Sequence, residues 1–424
     1  MKKLLLAWYS KIFSHSIYSS IFHDAAIIAL GIGGARLTSL IFRYLAMRVM
    51  SIDSYGQFAF FVSWYQIFTP FASFHAGHAL AIAFSNPGNK PEQGGWMGAS
   101  LVASTLTCIL LTPIVLVQLP IETNNRWLMT VATFWGLICI ATVVIAQGVA
   151  RGLMNPFSVS VFEWGMSLGR IALLLMLSIF GLATNQSPYW AFLLGSLLGA
   201  LLGWRYLIKT GALLTVMSTT WREITHRLGE LIRFSSFIIL AQALTFGIQF
   251  ISRWSLVRLG FEKVAIYDSA MLLYSILGVA FTGVGLAVVP YASQITRNSP
   301  QYLPLRRFLW LCLPVGGMVL LTFTPLLPRA LEFIGLADYV PAIPVWRVLL
   351  LAAPLELAFV VGANILIGLR KTRNYFLCLL LSLPLHILST WILASLWGET
   401  GVAVAYIITQ SILLWQANQH LRAV

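Results

Sequence analysis

Five arginines lie inside the long apolar segments of this chain, where a charged side chain is costly. An arginine at the centre of a membrane-spanning helix costs about 2.5–3.5 kcal/mol on insertion-based scales. Guanidinium groups bind phosphate and carboxylate through paired N–H donors. Buried arginines that shared a cavity would therefore form a site for an anionic ligand, such as a phosphate on a lipid carrier. The five residues are Arg36, Arg43, Arg170, Arg253 and Arg347.

These arginines differ in depth. Arg43, Arg253 and Arg347 lie toward the predicted outer ends of their segments, where a long side chain can also reach the lipid headgroups. Arg36 and Arg170 lie near the middle of theirs and have less access to the headgroups. We therefore predict that Arg36, Arg43, Arg170 and Arg253 bind the substrate, with Arg36 and Arg170 as the strongest candidates.

Two carboxylates are counted inside the apolar segments. Glu356 lies midway along its segment, two residues after Pro354, and Glu163 lies near the predicted cytoplasmic start of another. A carboxylate at such a depth can bind a proton or a sodium ion that drives a conformational cycle. Both are predicted ion-coupling residues, although a static ion pair with an arginine is an equal alternative for Glu356.

The composition assigns the chain to the polytopic membrane proteins. Hydrophobic residues make up 59% of the sequence and charged residues 9%, far below the roughly 25% charge of soluble domains. A segment of about 20 apolar residues can cross the hydrocarbon core as a helix. We predict an all-α protein with twelve such spans, at 25–47, 57–83, 96–119, 127–150, 159–183, 188–208, 234–257, 268–291, 307–327, 344–367, 375–397 and 400–419.

The twelve spans are predicted to form two related halves. Arg253 and Arg258 repeat the spacing of Arg43 and Arg48, and a one-residue slip then aligns 55–59 with 266–270. The predicted division is an N-terminal lobe at 1–208, a cytoplasmic amphipathic linker at 209–233 and a C-terminal lobe at 234–424. In the linker, we expect Arg222, Glu223, Arg227 and Glu230 to face water or lipid headgroups.

The net charge of +14 is explained by topology and does not imply a nucleic-acid partner. Most Lys and Arg residues fall in the loops of one predicted side, which the positive-inside rule makes cytoplasmic. An even number of spans places both termini on that side. No metal site, disulfide or cofactor is expected, and the sequence has no phosphate-binding loop for ATP hydrolysis.

Glycines and prolines predict where the helices touch or bend. Gly195, Gly199 and Gly203 repeat at four-residue intervals, a pattern that lets helix backbones approach closely in lipid. Proline removes a backbone donor and favours a kink. Kinks are therefore expected at Pro70, Pro113, Pro314, Pro325, Pro354 and Pro384.

Several short motifs resemble the Wzx-type polysaccharide flippases of the multidrug/oligosaccharidyl-lipid/polysaccharide (MOP) exporter superfamily. The resemblance extends over the whole layout of six plus six spans. Relatives carry Asp before the span-seven arginine, whereas this chain has Ser252, which would leave Arg253 free to face a ligand. The motifs are 33–36, 43–46 and 53–59 in the first half, and Arg253-Trp254 through Tyr267 and Ala270 in the second.

The resemblance implies two six-helix lobes in a V-shaped transporter of the bacterial inner membrane. Its cargo would be an undecaprenyl-diphosphate-linked oligosaccharide, an O-antigen or capsule repeat unit, moved to the periplasmic leaflet by alternating access. A cation gradient, of H⁺ or Na⁺, or the membrane potential would drive transport. Membrane lipids and the polysaccharide polymerase machinery are the other expected partners.

Two alternatives remain open. A multidrug exporter of the same superfamily would carry cationic cargo and need acidic residues in its spans, so five arginines against two acids disfavour it. A membrane-embedded polysaccharide polymerase or ligase would need a large external catalytic loop, and the sequence has none. We therefore expect a transporter and not an enzyme.

Overall fold

The computed structural model shows an all-α membrane protein, as the sequence predicts. Seven helical stretches of the described residues are long and apolar enough to cross a membrane, or up to eight if the bent pair Ala342–Leu350 and Ala353–Gly368 counts as one span. The predicted total of twelve spans stays a prediction, because parts of the chain lie outside the described residues. Those described are 33–35, 37–85, 90–117, 126–153, 155–293, 302–323, 337–369 and 371–422.

The described residues form helices α1 to α15 in chain order. The first ten are α1 (37–49), α2 (Ile52–Ala72), α3 (Ala76–Phe84), α4 (Lys90–Leu116), α5 (Arg126–Gly152), α6 (Pro156–Ile179), α7 (Ser187–Leu194), α8 (Leu197–Lys209), α9 (Ala212–Met217) and α10 (Trp221–Val257). The others are α11 (Phe261–Ser293), α12 (Tyr302–Phe323), a 3₁₀ turn at Ala337–Tyr339, α13 (Ala342–Leu350), α14 (Ala353–Gly368) and α15 (Thr372–Arg422).

The chain forms two compact units. The larger unit comprises Ala35–Ser269 and Leu379–Val402, and the smaller unit comprises Met1–Gly34, Ala270–Cys378 and Ala403–Val424. The core of the larger unit contains small and branched side chains from α3, α4, α5, α6 and α8, among them Ala76, Val143 and Ala200. The division predicted at 208 and 233 stays a prediction.

Glycines bring α6 and α8 of the larger unit into backbone contact, which confirms the predicted packing. A side chain at Gly169 would collide with the carbonyl oxygen of Gly195, and one at Gly199 would collide with Met166. Gly203 lies instead against α5, where a Cβ would be 3.0 Å from the Cβ of Ala146.

The helices break between α2 and α3, between α13 and α14, and within α15. Between α2 and α3, Phe74 and His75 both have a φ of 46°, a left-handed conformation that is strained for residues with side chains. The predicted kink near Pro354 is confirmed, because α13 and α14 meet at an angle of 50° just before it. Pro70 itself lies inside α2, so the break follows it and does not coincide with it.

Helix α15 contains two predicted spans, which a kink separates. It has 51 residues, and at 1.5 Å per residue it is much longer than the roughly 30 Å hydrocarbon core. Gly398 interrupts it with a φ of 57° and a ψ of −136°, which only glycine adopts readily. This kink falls between the spans predicted at 375–397 and 400–419.

The predicted linker helix is continuous with the following span. Thr220 caps the start of α10 by accepting a hydrogen bond from the Glu223 backbone, and the helix then runs to Val257. Arg227 is partly exposed, and its side chain reaches Glu92 on α4 at 3.6 Å as well as Glu223 and Glu230 of its own helix. A carboxylate from a neighbouring helix thus anchors the linker.

Candidate anion-binding site

One buried carboxylate in the larger unit holds two of the predicted arginines. Asp268 accepts hydrogen bonds on its Oδ1 from Arg253 Nε at 2.9 Å and from Arg253 Nη2 at 2.6 Å. Its Oδ2 accepts one from the Tyr55 hydroxyl at 2.8 Å. Arg43 Nη1 lies 3.5 Å from the same Oδ2. We call these four residues the Asp268 cluster.

The local fold explains how the cluster forms. Helix α10 ends at Val257, and Gly260, with a φ of 114°, allows the turn from which α11 begins at Phe261. Arg253 and Asp268 therefore lie on the two sides of a helical hairpin. Gly56 on α2 lets the backbone of Phe261 approach closely, since any side chain there would collide with it. Tyr55, the neighbour of Gly56, is thereby brought next to Asp268.

The cluster corrects two sequence-based predictions. Arg253 is not free, although Ser252 stands where relatives carry Asp, because Asp268 neutralises it from the next helix. The number of carboxylates inside the helices was also too low. Asp268 is the first residue of the span predicted at 268–291, and within α11 it is buried to 2% exposure.

The Asp268 cluster carries more positive than negative charge. It contains the guanidinium groups of Arg43 and Arg253 and the single carboxylate of Asp268. Arg43 also lies over the ring of Phe58, with its Cζ 5.2 Å from the ring centroid. An aromatic face attracts a cation but does not neutralise it. One positive charge is therefore left to attract an anion.

Arg170 on α6 has a different environment. Its Nη2 donates to the Ser196 hydroxyl at 3.0 Å, and its Cζ lies 4.4 Å from the centroid of the Phe192 ring. Its Nε is buried and has no hydrogen-bond partner in the part of the chain that the structure describes. Over the same residues, no carboxylate lies within 4.0 Å of its guanidinium nitrogens.

A second unpaired polar group lies against the same aromatic ring. Tyr65 on α2 is 1% exposed, and its ring meets that of Phe192 edge to face at 5.3 Å. The described residues include no hydrogen-bond partner for its hydroxyl. An anion near Phe192 could therefore accept hydrogen bonds from two groups whose burial without a partner is unfavourable.

The predicted ion-coupling carboxylates lie in separate polar groups. In the smaller unit, Glu356 lies in the first turn of α14, and its Oε2 accepts from the hydroxyls of Tyr274 at 2.6 Å and Tyr406 at 2.9 Å. In the larger unit, Glu163 Oε1 accepts from Gln147 Nε2 at 2.8 Å. The ion-coupling role of both carboxylates stays a prediction.

The other predicted residues add less. Arg36 lies outside the described residues, and Arg347 is exposed on α13. The part of the chain described by the structure contains no group of three His, Cys, Asp or Glu side chains arranged for a metal ion. The candidate ligand-binding residues in the described part of the chain are therefore Arg43, Arg170, Arg253, Asp268 and Tyr65.

Comparison with known proteins identifies the fold. No protein-family model and no curated protein sequence matches the chain. An inward-facing multidrug-resistance MATE family transporter of the MOP superfamily is similar in structure, with a TM-score of 0.75, 14% identity and coverage of 94% of this chain and 98% of that one.

Two further solved structures share this likeness. The Vibrio cholerae MATE transporter VcmN gives a TM-score of 0.69 at 14% identity, over 96% of this chain and 98% of that one. A Pyrococcus furiosus MOP transporter, described as having a binding pocket of reverse polarity that suggests a different function, gives 0.71 at 15% identity, over 95% of each chain. The chain is thus a multi-pass membrane protein with the fold of MOP superfamily transporters.

Proposed function

We propose that this protein is a flippase for a lipid-linked oligosaccharide. Its cargo is an undecaprenyl-diphosphate-linked O-antigen or capsule repeat unit, which it moves from the cytoplasmic to the periplasmic leaflet of the bacterial inner membrane by alternating access. The observation that carries the proposal is the environment of Arg170, whose buried Nε has no hydrogen-bond partner and whose guanidinium has no carboxylate within 4.0 Å among the described residues.

The sign of the buried charge supports an anionic cargo. The direct contacts of Arg170 are a serine hydroxyl and an aromatic ring, and the Asp268 cluster contains two arginines for one acid. In a low-dielectric interior, uncompensated positive charge is unfavourable until an anion approaches. The diphosphate of a lipid carrier would satisfy this requirement, with Arg36, Arg43 and Arg170 as the proposed substrate-binding residues and Arg253, the fourth arginine predicted to bind substrate, holding Asp268.

The proposed driving force is a cation gradient or the membrane potential. Glu356 supports it, since a carboxylate that accepts from Tyr274 and Tyr406 can exchange one of those hydrogen bonds for H⁺ or Na⁺. Glu163 is the second proposed coupling residue. The cytoplasmic termini and the partnership with membrane lipids and the polysaccharide polymerase machinery belong to the same proposal.

A multidrug exporter is the second candidate. Structural neighbours that are described as multidrug or MATE transporters favour it. Such a protein would need an acidic group available to a cationic drug. Asp268 is occupied by arginine and tyrosine donors, so Glu163 and Glu356 are the acids that such an exporter would use.

Complementation of a deletion strain tests the proposal. We expect the parent protein and Arg347→Ala, which changes an exposed arginine, to restore surface polysaccharide. Arg170→Ala should abolish polysaccharide at an unchanged protein level, because the anion loses its cationic partner. Full restoration by Arg170→Ala would contradict the proposal. Intact polysaccharide in the deletion strain together with hypersensitivity to cationic dyes would establish the drug exporter instead.

A further inference from the structure

We infer that Asp268 is an internal competitor that holds Arg43 when the site is empty and releases it to a phosphate-type anion. In this arrangement Arg43 contacts the ligand, whereas Arg253 and Tyr55 are positioning residues that fix the competing carboxylate. The inference rests on the proposed function for the source of the phosphate. The exchange itself rests on the geometry of the Asp268 cluster.

The two arginines are held with unequal strength. Arg253 donates twice to Asp268 Oδ1, at 2.6 and 2.9 Å, and its Nη1 also donates to the Gln249 carbonyl at 3.0 Å. Arg43 makes one contact with Asp268, at 3.5 Å. Charge-assisted hydrogen bonds are usually 2.7–2.9 Å long, so the contact of Arg43 is weak. Arg43 is therefore the arginine that an anion can take over.

Tyr55 explains why the contact of Arg43 stays weak. Its hydroxyl donates to Asp268 Oδ2 at 2.8 Å, which is the same oxygen that Arg43 approaches. Because Tyr55 is 0% exposed, it has little freedom to leave that oxygen. Tyr55 thus shares with Arg43 the oxygen of Asp268 that Arg253 does not occupy.

The internal repeat gives the two arginines equivalent positions, but Asp268 belongs to the second half. Arg43 and Arg253 occupy equivalent positions, and Asp268 aligns with Gln57 of the first half. Gln57 donates to the exposed Asp53 at 3.1 Å, so the first half supplies no equivalent acid to the pair. One carboxylate therefore serves two equivalent arginines, and the arginine from the other half is the one left incompletely neutralised.

A phosphate-type dianion fits the released side chain. The guanidinium group offers parallel N–H donors to two oxygens, and the cluster has an excess of one positive charge. The phosphate can belong to a lipid diphosphate or to free inorganic pyrophosphate, since both present the same oxygens. Separate binding measurements distinguish these two sources.

Calorimetric titration of the purified protein in lipid nanodiscs tests the exchange. The two ligands are inorganic pyrophosphate and undecaprenyl diphosphate, titrated separately. Asp268→Asn removes the competing charge but keeps the shape, so pyrophosphate should bind about tenfold more tightly. Asp53→Asn, which changes an exposed carboxylate of α2, is the matched control and should bind like the parent. A purely structural Asp268 would give unchanged or weaker binding in Asp268→Asn.

The Tyr55→Phe variant should change the affinity for pyrophosphate in the opposite direction. It does so without altering any charge. Without the hydroxyl, Asp268 holds Arg43 more strongly, so pyrophosphate should bind about threefold more weakly. Unchanged or tighter binding in this variant would overturn the inference, even if Asp268→Asn fails to fold. Arg43→Ala should abolish the tightening caused by Asp268→Asn. A tightening retained in that double variant would also overturn the inference.

The lipid titration separates this inference from the proposed function. If Asp268→Asn tightens the binding of both ligands, the exchange and a diphosphate-lipid cargo are both supported. Tightening for pyrophosphate alone would support the exchange and contradict the lipid-linked cargo.

Discussion

Arg253 and Arg170 show two ways of placing an arginine inside a membrane protein. Arg253 makes an ion pair at 2.6 Å with Asp268, and both side chains are almost fully buried. Arg170 has a serine hydroxyl at 3.0 Å, an aromatic ring at 4.4 Å and an Nε without a hydrogen-bond partner in the described structure. The first arginine is neutralised by a direct ion pair, whereas the direct contacts of the second are neutral groups.

This difference separates stability from function. A buried ion pair that loses one partner leaves an uncompensated charge, which is strongly destabilising. An arginine without an acidic partner adds little to stability, so its presence calls for another explanation. At Arg170 the explanation that we propose is a ligand, and at Arg253 it is the ion pair with Asp268. Both arginines belong to the larger unit, which allows their variants to be compared directly.

The largest effect should follow from Arg253→Ala. Asp268 would stay buried with only the 3.5 Å contact of Arg43 and the hydroxyl of Tyr55, and we expect a loss of about 3–5 kcal/mol. Thermal unfolding in detergent measures the loss. Arg222→Ala, at an exposed position of α10, is the control and should change the stability by less than about 0.5 kcal/mol.

A second substitution shows whether the loss comes from the charge. Combining Arg253→Ala with Asp268→Asn removes both members of the pair, so the double variant should be more stable than Arg253→Ala alone. If the double variant were as unstable as the sum of the single variants, lost packing and not the stranded carboxylate would explain the effect.

The comparison also shows what the sequence could predict. Hydrophobic segments predicted the helices well, because every span must satisfy its backbone hydrogen bonds internally. The packing of Gly195 and Gly199, the bend near Pro354 and the boundary at Gly398 followed from local chemistry. The left-handed break at Phe74 and His75 did not, since neither residue type indicates a positive φ.

The arrangement of the charges was less predictable. The depth of Arg43, Arg170 and Arg253 is a local property and was read from the spans. Their partners depend on tertiary contacts, such as that of Arg43 with Asp268, 225 residues away. The sequence signal was the internal repeat. It aligns Asp268 with Gln57, so the second half has an acid where the first half has an amide.

A smaller effect on stability should follow from Arg170→Met. Methionine retains an unbranched apolar stem, and no described carboxylate is stranded by the change. We therefore expect the free energy of unfolding to lie between that of the parent and a value about 2 kcal/mol higher. Thermal unfolding measures it. The equivalent Arg253→Met should be clearly destabilised. Similar losses in both variants would mean that Arg170 has an acidic partner after all, and the contrast between the two arginines would fail.

The smallest effect should come from Ser196→Ala. The variant loses the hydroxyl that accepts from Arg170 Nη2, which should lower the free energy of unfolding by about 1 kcal/mol without ligand. If an anion binds Arg170, it can accept from the same nitrogen, so the loss should shrink when pyrophosphate is present. Ser178→Ala removes a hydroxyl of α6 that donates only to the Leu174 carbonyl in the described contacts, and it serves as the control. A loss in Ser196→Ala that pyrophosphate leaves unchanged would show that Arg170 stabilises the helix contact and does not receive the anion.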